Sequence, residues 1–163
     1  MHKLPDGVPN TLFEAFAHIS GHKSPTIDDL KVLVMVEAAG KRLYEDLALG
    51  IENEEVRSIL GRNGREEIGH AHRVSRVIGK LTGTDYPVPE AHENPFLVAP
   101  PLPKKNVDKA TLLGLADAEF GGQDFYDGWA ASCTNEDAAA LLRQDGREEA
   151  RHGERLRDAA KLL

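Results

Sequence analysis

GREEIGHAHR, residues 64–73, returns 82 positions later as GREEARHGER, residues 146–155. Sliding the chain by the same 82 residues aligns Thr26–Leu81 with Asp108–Leu163 without a gap. Sixteen of the 56 aligned positions are identical, against roughly one in sixteen expected from average composition. Upstream of the quoted stretch the matches are Leu30, Leu33, Glu37, Gly40, Tyr44 and Ala48. Steps of three and four residues trace one face of a helix.

Each repeat reads as a pair of helices. The first pair is expected over Asp28–Gly50 and Glu54–Leu81, the second over Lys109–Ser132 and Glu136–Leu162. Thr26 or Asp28, Asn53, Asp108 and Asn135 stand where N-caps belong, since a short polar side chain there accepts from an orphan backbone N–H. The links within each pair are short, which makes antiparallel hairpins. Between the pairs, Gly83–Val107 holds Pro87, Pro89, Pro95, Pro100, Pro101 and Pro103. Such a segment is not helical throughout and suits a crossover along the outside of a bundle. Asn10–Gly21 lies outside the repeat; Leu12, Phe13, Phe16 and Ile19 share a face, so a short amphipathic helix is expected to pack on the bundle or on another subunit. The fold class is all-α: one domain over residues 1–163, a four-helix bundle of two repeated hairpins, 26–81 and 108–163, joined by the crossover at 83–107.

Glu37 lies inside the apolar run VLVMVEAAG, and its repeat partner Glu119 lies in GLADAEFGG. A carboxylate on a core-facing stripe is costly unless it is paired or binds a metal. Glu67 and His70, and again Glu149 and His152, stand at i and i+3, so each pair projects from one helical face. All six positions obey the 82-residue offset.

One Glu from each of two helices, with Glu-x-x-His from each of the other two, resembles the ligand set of ferritin-like di-iron carboxylate proteins. The resemblance covers about Thr26–Leu163, including the place of the crossover. It implies two iron ions, with manganese or a mixed pair as alternatives suited to oxygen and imidazole donors. Glu67 and Glu149 would bridge the ions, His70 and His152 would each bind one, and Glu37 and Glu119 would be terminal. Within the superfamily the chain looks rubrerythrin-like but lacks the Cys pairs of a rubredoxin domain, so electrons would come from a separate donor protein. It departs from rubrerythrins at Gly122, where they carry a further Glu. The implied activity is a di-iron oxidoreductase reacting with oxygen or hydrogen peroxide. The alternatives are iron oxidation and storage as in ferritins and bacterioferritins, or a di-iron oxygenase of an organic substrate. A homodimer or higher homo-oligomer is expected.

Two further matched pairs accompany the six. Tyr44 and Tyr126 each follow their Glu by seven residues, on the same face. Either they hydrogen-bond a ligand carboxylate and orient it, or they are ordinary core residues with the hydroxyl bonded elsewhere. Gly40 and Gly122 each follow it by three. Glycine costs ~1 kcal/mol in a helix interior, so the pair points to a need for space, for an oxidant's access or for close helix approach. Glu66 and Glu148 read as solvated surface, with a partnership to a ligand imidazole as the alternative.

Composition narrows the partners. The 163 residues carry a net charge of -7, with 40% apolar and 29% charged residues, as soluble globular chains do. The acidic balance and 6% aromatics argue against nucleic acid. No apolar run approaches the ~20 residues of a membrane span, and the first ten residues lack a signal's apolar stretch, so no membrane partner and a cytoplasmic location are expected. Cys133 alone excludes an internal disulfide or a Cys₄ metal site.

Overall fold

The computed structural model describes residues 2–98 and 107–163. They form five helices: α1 Leu12–Ser20, α2 Ile27–Ala48, α3 Glu54–Thr82, α4 Lys109–Ser132 and α5 Glu136–Ala159. The starts of α2 and α4, and those of α3 and α5, are both 82 residues apart. Thr26 and Asp29 make a reciprocal capping box on α2: Asp29 N donates to Thr26 Oγ1 at 3.1 Å, and Thr26 N to Asp29 Oδ2 at 2.8 Å. Asn53, Asp108 and Asn135 cap α3, α4 and α5 through their side-chain oxygens. Gly83, with φ 84°, ends α3 in the left-handed conformation that suits glycine. α5 stops at Ala159, short of the expected Leu162.

α2 packs along α3, α4 along α5, and α3 against α5. The α2–α4 side has no comparable packing, and α1 lies against α2 beside it. Close approach within each hairpin depends on matched glycines. A Cβ on Gly64 would stand 2.9 Å from Tyr44 Cβ, and one on Gly146 3.2 Å from Tyr126 Cβ. In a core packed like a crystal neither methyl fits without displacement.

The apolar core is in two parts. Leu30, Val32–Met35, Val74, Val77, Trp129 and Leu142 belong to one cluster; Tyr44, Leu60, Leu112, Ala116 and Leu156 belong to the other. On α3, α4 and α5 the acidic and imidazole positions fall between the two; on α2, Glu37 lies near the end of the first cluster's run, before Tyr44 of the second. Of α1, Ile19 is buried and Leu12 and Phe16 pack on the core as expected, joined by the buried Ala15, but Phe13 is 61% exposed. The described part of the crossover, 83–98, is non-helical and tied to the bundle. Asn94, fully buried, donates to Met35 O at 2.8 Å, and Ser75 to Tyr86 O at 2.5 Å. Pro100, Pro101 and Pro103 lie outside the described residues. No described helix is long and apolar enough to cross a membrane.

Candidate metal centre

Four helices each turn one carboxylate into the layer between the two apolar clusters, and α3 and α5 add an imidazole one turn further on. Ligand atoms from Glu37, Glu67, His70 and Glu149 all lie within 4.8 Å of one another. So do those from Glu67, Glu119, Glu149 and His152. Glu67 and Glu149 belong to both groups, so the structure brings together all six residues singled out in the sequence. His70 Nδ1 is 3.4 Å from Glu37 Oε2, 3.4 Å from Glu67 Oε2 and 3.1 Å from Glu149 Oε1. His152 Nδ1 is 3.0 Å from Glu67 Oε1, 3.6 Å from Glu119 Oε2 and 3.5 Å from Glu149 Oε2. The two rings stack with centroids 5.2 Å apart.

This donor set fits metal. Both Nδ1 atoms are fully buried without a hydrogen-bond partner, although carboxylate oxygens surround each. A buried imidazole nitrogen is ordinarily satisfied, and oxygen-rich sites with neutral imidazole suit iron or manganese. Four buried carboxylates also need cations, because like charges in a low dielectric repel strongly. Without metal, protons supply the neutralisation. Burial, with the nearby Glu149 and Glu67 charges, pushes Glu37 up to about 8. Burial and Glu149 push Glu119 well above the ordinary carboxyl range. Burial resists ionisation of Glu67 and Glu149 as well, but it is outweighed, at Glu149 by a hydrogen bond from Glu119 and then both imidazoles, at Glu67 by both imidazoles, and these two are held below that range. Burial disfavours a charged His70 and His152, yet the facing carboxylates win: His70 rises well above its usual value and His152 reaches about 12.

The tyrosines hydrogen-bond ligand carboxylates, and the pairing is crossed. Tyr126 on α4 donates to Glu37 Oε1 on α2 at 2.7 Å, and Tyr44 on α2 donates to Glu119 Oε1 on α4. Each bond therefore bridges the loosely packed α2–α4 side. Burial, then the neighbouring carboxylates, push both phenols up, so they remain donors. The glycines differ. A Cβ on Gly40 would meet Glu67 Cγ at 3.0 Å and Oε2 at 3.2 Å, whereas one on Gly122 would meet Glu149 Cγ at an ordinary 3.4 Å. Gly40 thus makes room for a carboxylate arm. Both glycines also line an apolar cavity of about 160 Å³ between α1, α2 and α4, walled by Leu12, Phe13, Phe16 and Leu115 and floored by Glu37, Glu67, Glu119 and Glu149.

The surface reading of Glu66 and Glu148 is corrected. Each backs the imidazole of the opposite hairpin: Glu66 Oε2 is 3.0 Å from His152 Nε2, and Glu148 Oε2 is 3.3 Å from His70 Nε2. Arg155 donates to Glu66 at 2.5 and 3.1 Å, and Arg73 to Glu148. Burial opposes ionisation of Glu66, but Arg155 and Arg62 hold it at about 2; Glu148 is held at about 2 first by His70, against burial, with Gln144 and Arg73 adding to it. At His152 the hydrogen bond to Glu66 fixes ring and tautomer and directs Nδ1 inward; at His70, Glu148 makes a close ionic contact with Nε2 without a hydrogen bond. The sequence carried a signal for them: Glu66, Arg73, Glu148 and Arg155 are all identities of the repeat.

A helical bundle with a buried carboxylate–imidazole cluster able to hold metal defines the class. Within it, the rubrerythrin family model matches residues 30–160, and the chain belongs to that family of ferritin-like di-iron carboxylate proteins. The family typically binds a di-iron centre. No curated protein and no solved structure matches the chain.

Proposed function

We propose that the protein is a di-iron oxidoreductase that reacts with dioxygen or hydrogen peroxide, using electrons from a separate donor protein. The observation that carries this reading is the pair of overlapping ligand groups sharing Glu67 and Glu149 beneath an apolar opening. Glu37 and His70 would complete one metal position, Glu119 and His152 the other. When bound, a di-iron pair supplies two electrons and open coordination positions for reducing the oxidant. The chain's own residues supply the setting. Tyr126 and Tyr44 orient Glu37 and Glu119, and Glu148 and Glu66 orient the two rings. Leu12, Phe13, Phe16 and Leu115 exclude bulk water from the face where Gly40 and Gly122 leave room. For peroxide the balance is two electrons and two protons in, two waters out.

The same cavity favours a second reading, an oxygenase of a small apolar substrate, because its walls offer no charged group besides the ligands. Stopped-flow oxidation of the reduced, iron-loaded protein tests the first reading. Rapid oxidation by oxygen or peroxide, repeated when a reductant is supplied, is the expected result. Oxidation no faster than that of free ferrous iron would overturn it. Acceleration only by a small apolar compound, with its oxygenated product, would favour the second reading.

A further inference from the structure

The repeat that matches the ligands fails at the residues behind them. Four residues before each shared glutamate, on the same face of its helix, stand Asn63 and Asp145, which are 82 residues apart. Both side chains are fully buried. Asn63, a neutral amide, donates to Tyr44 Oη at 3.3 Å and to His152 O at 3.4 Å. Asp145 accepts from Arg73 Nε, and its carboxylate lies with Glu148 and His70 in a cluster of atoms within 4.8 Å. The next pair outward differs too. Arg62 donates to Glu66 at 3.1 Å, while its counterpart Gln144 donates to Glu148 at 3.2 Å.

The imbalance has a sign. Behind His70, one guanidinium, Arg73, is divided between two carboxylates, Asp145 and Glu148. Behind His152, one carboxylate, Glu66, receives two guanidinium groups, Arg155 and Arg62. Arg62 is exposed and screened, so the buried Asp145 carries most of the difference; burial pushes its carboxyl up to about 7 against the pull of His70 and Arg73, so the extra charge is in place above neutral pH. In a low-dielectric interior an extra anion beside one imidazole strengthens that ring as a ligand and attracts a divalent cation to its side.

Resting on the di-metal reading above, we infer that the two metal positions are unequal and that Asp145, a positioning residue, makes the Glu37–His70 position the tighter. Losing an outer partner of a metal ligand changes affinity ~10–100-fold, and the two stepwise affinities should differ by a factor in that range.

The test loads metal-free protein with one equivalent of Mn²⁺ per chain and locates the ion by anomalous diffraction. Density concentrated between Glu37 and His70 is expected. Equal density at both positions, or more beside Glu119 and His152, would overturn the inference while leaving the di-metal reading intact. No density at either position would overturn both. Stepwise Mn²⁺ affinities by chelator competition give the second readout. Asp145→Asn, which keeps shape and removes charge, should bring the two constants together by about tenfold. Asn63→Asp should tighten the weaker position, a gain that misfolding cannot imitate. Constants unchanged in both variants would contradict the role of Asp145.

Discussion

The α2–α3 hairpin and the α4–α5 hairpin offer the metal layer the same residues in the same register, yet they support them differently. Glu37, Glu67 and His70 on one side answer Glu119, Glu149 and His152 on the other. Behind this shared ring, Gly40 is pressed by Glu67 while Gly122 has ordinary clearance, and Asn63 is answered by Asp145. A ligand ring must satisfy geometry and charge at once, which leaves little latitude. The residues behind it need only fill space and satisfy one another, so the halves can diverge there without loss of the ring.

The largest expected effect is one in which the halves behave alike. Glu67→Ala and Glu149→Ala each remove a residue common to both ligand groups. Either should lower metal content from two ions per chain to below one, a larger loss than the ~10–100-fold attached to outer partners; elemental analysis after dialysis checks it. A loss confined to one variant would break the equivalence of the inner ring.

Next comes pH. In the metal-free protein His70 and His152 are held protonated by the facing carboxylates, and Glu37 and Glu119 by burial. Metal must displace protons from groups with raised affinity for them, so metal affinity rises with pH and falls as the solution is acidified. Each ion displaces one imidazole and one carboxyl proton, which gives a slope of up to ~100-fold per pH unit for each metal position. Competition titrations between pH 6 and pH 8 measure it, and a flat profile would contradict this proton inventory.

Smaller effects separate the halves. Tyr44→Phe should destabilise the metal-free protein more than Tyr126→Phe, because it also strips the buried Asn63 Nδ2 of its hydroxyl acceptor, a loss of ~1–3 kcal/mol. Thermal unfolding compares the two, and equal losses would remove Asn63 from the account. Smallest is the glycine pair. Gly122→Ala should raise the melting temperature of the metal-free protein, through the ~1 kcal/mol that helix propensity favours. Gly40→Ala should lower it, since overpacking against Glu67 costs ~1–3 kcal/mol. A gain in both would show that Glu67 has room to move.

The helices and the six converging side chains were legible because they are written twice. The offset of 82 residues placed Glu37 opposite Glu119 and both Glu-x-x-His pairs on core faces before any coordinates. What the spacing did not show was which hairpin each support serves. Tyr44 stands two turns from Glu37 on its own helix yet reaches Glu119, because a long side chain leaves its helix face and crosses the bundle. Glu66 and Glu148 read as surface since each neighbours a ligand on the outward side; only the approach of α3 and α5 brings them to the opposite ring. Asn63 and Asp145 were passed over because identities mark the repeat, and this pair matters through its difference. On α1, Phe13 stands about 100° round the helix from Leu12, off the inward face of Leu12, Phe16 and Ile19, and lines the cavity.

The central claim is that six side chains hold two metal ions in one shared ring. Anomalous diffraction from crystals of the fully iron-loaded protein tests it most directly. Two peaks are expected about 3.5–4 Å apart, as in other two-metal sites, with Glu67 and Glu149 between them and one imidazole on each. A single peak, or iron bound away from His70 and His152, would contradict the account.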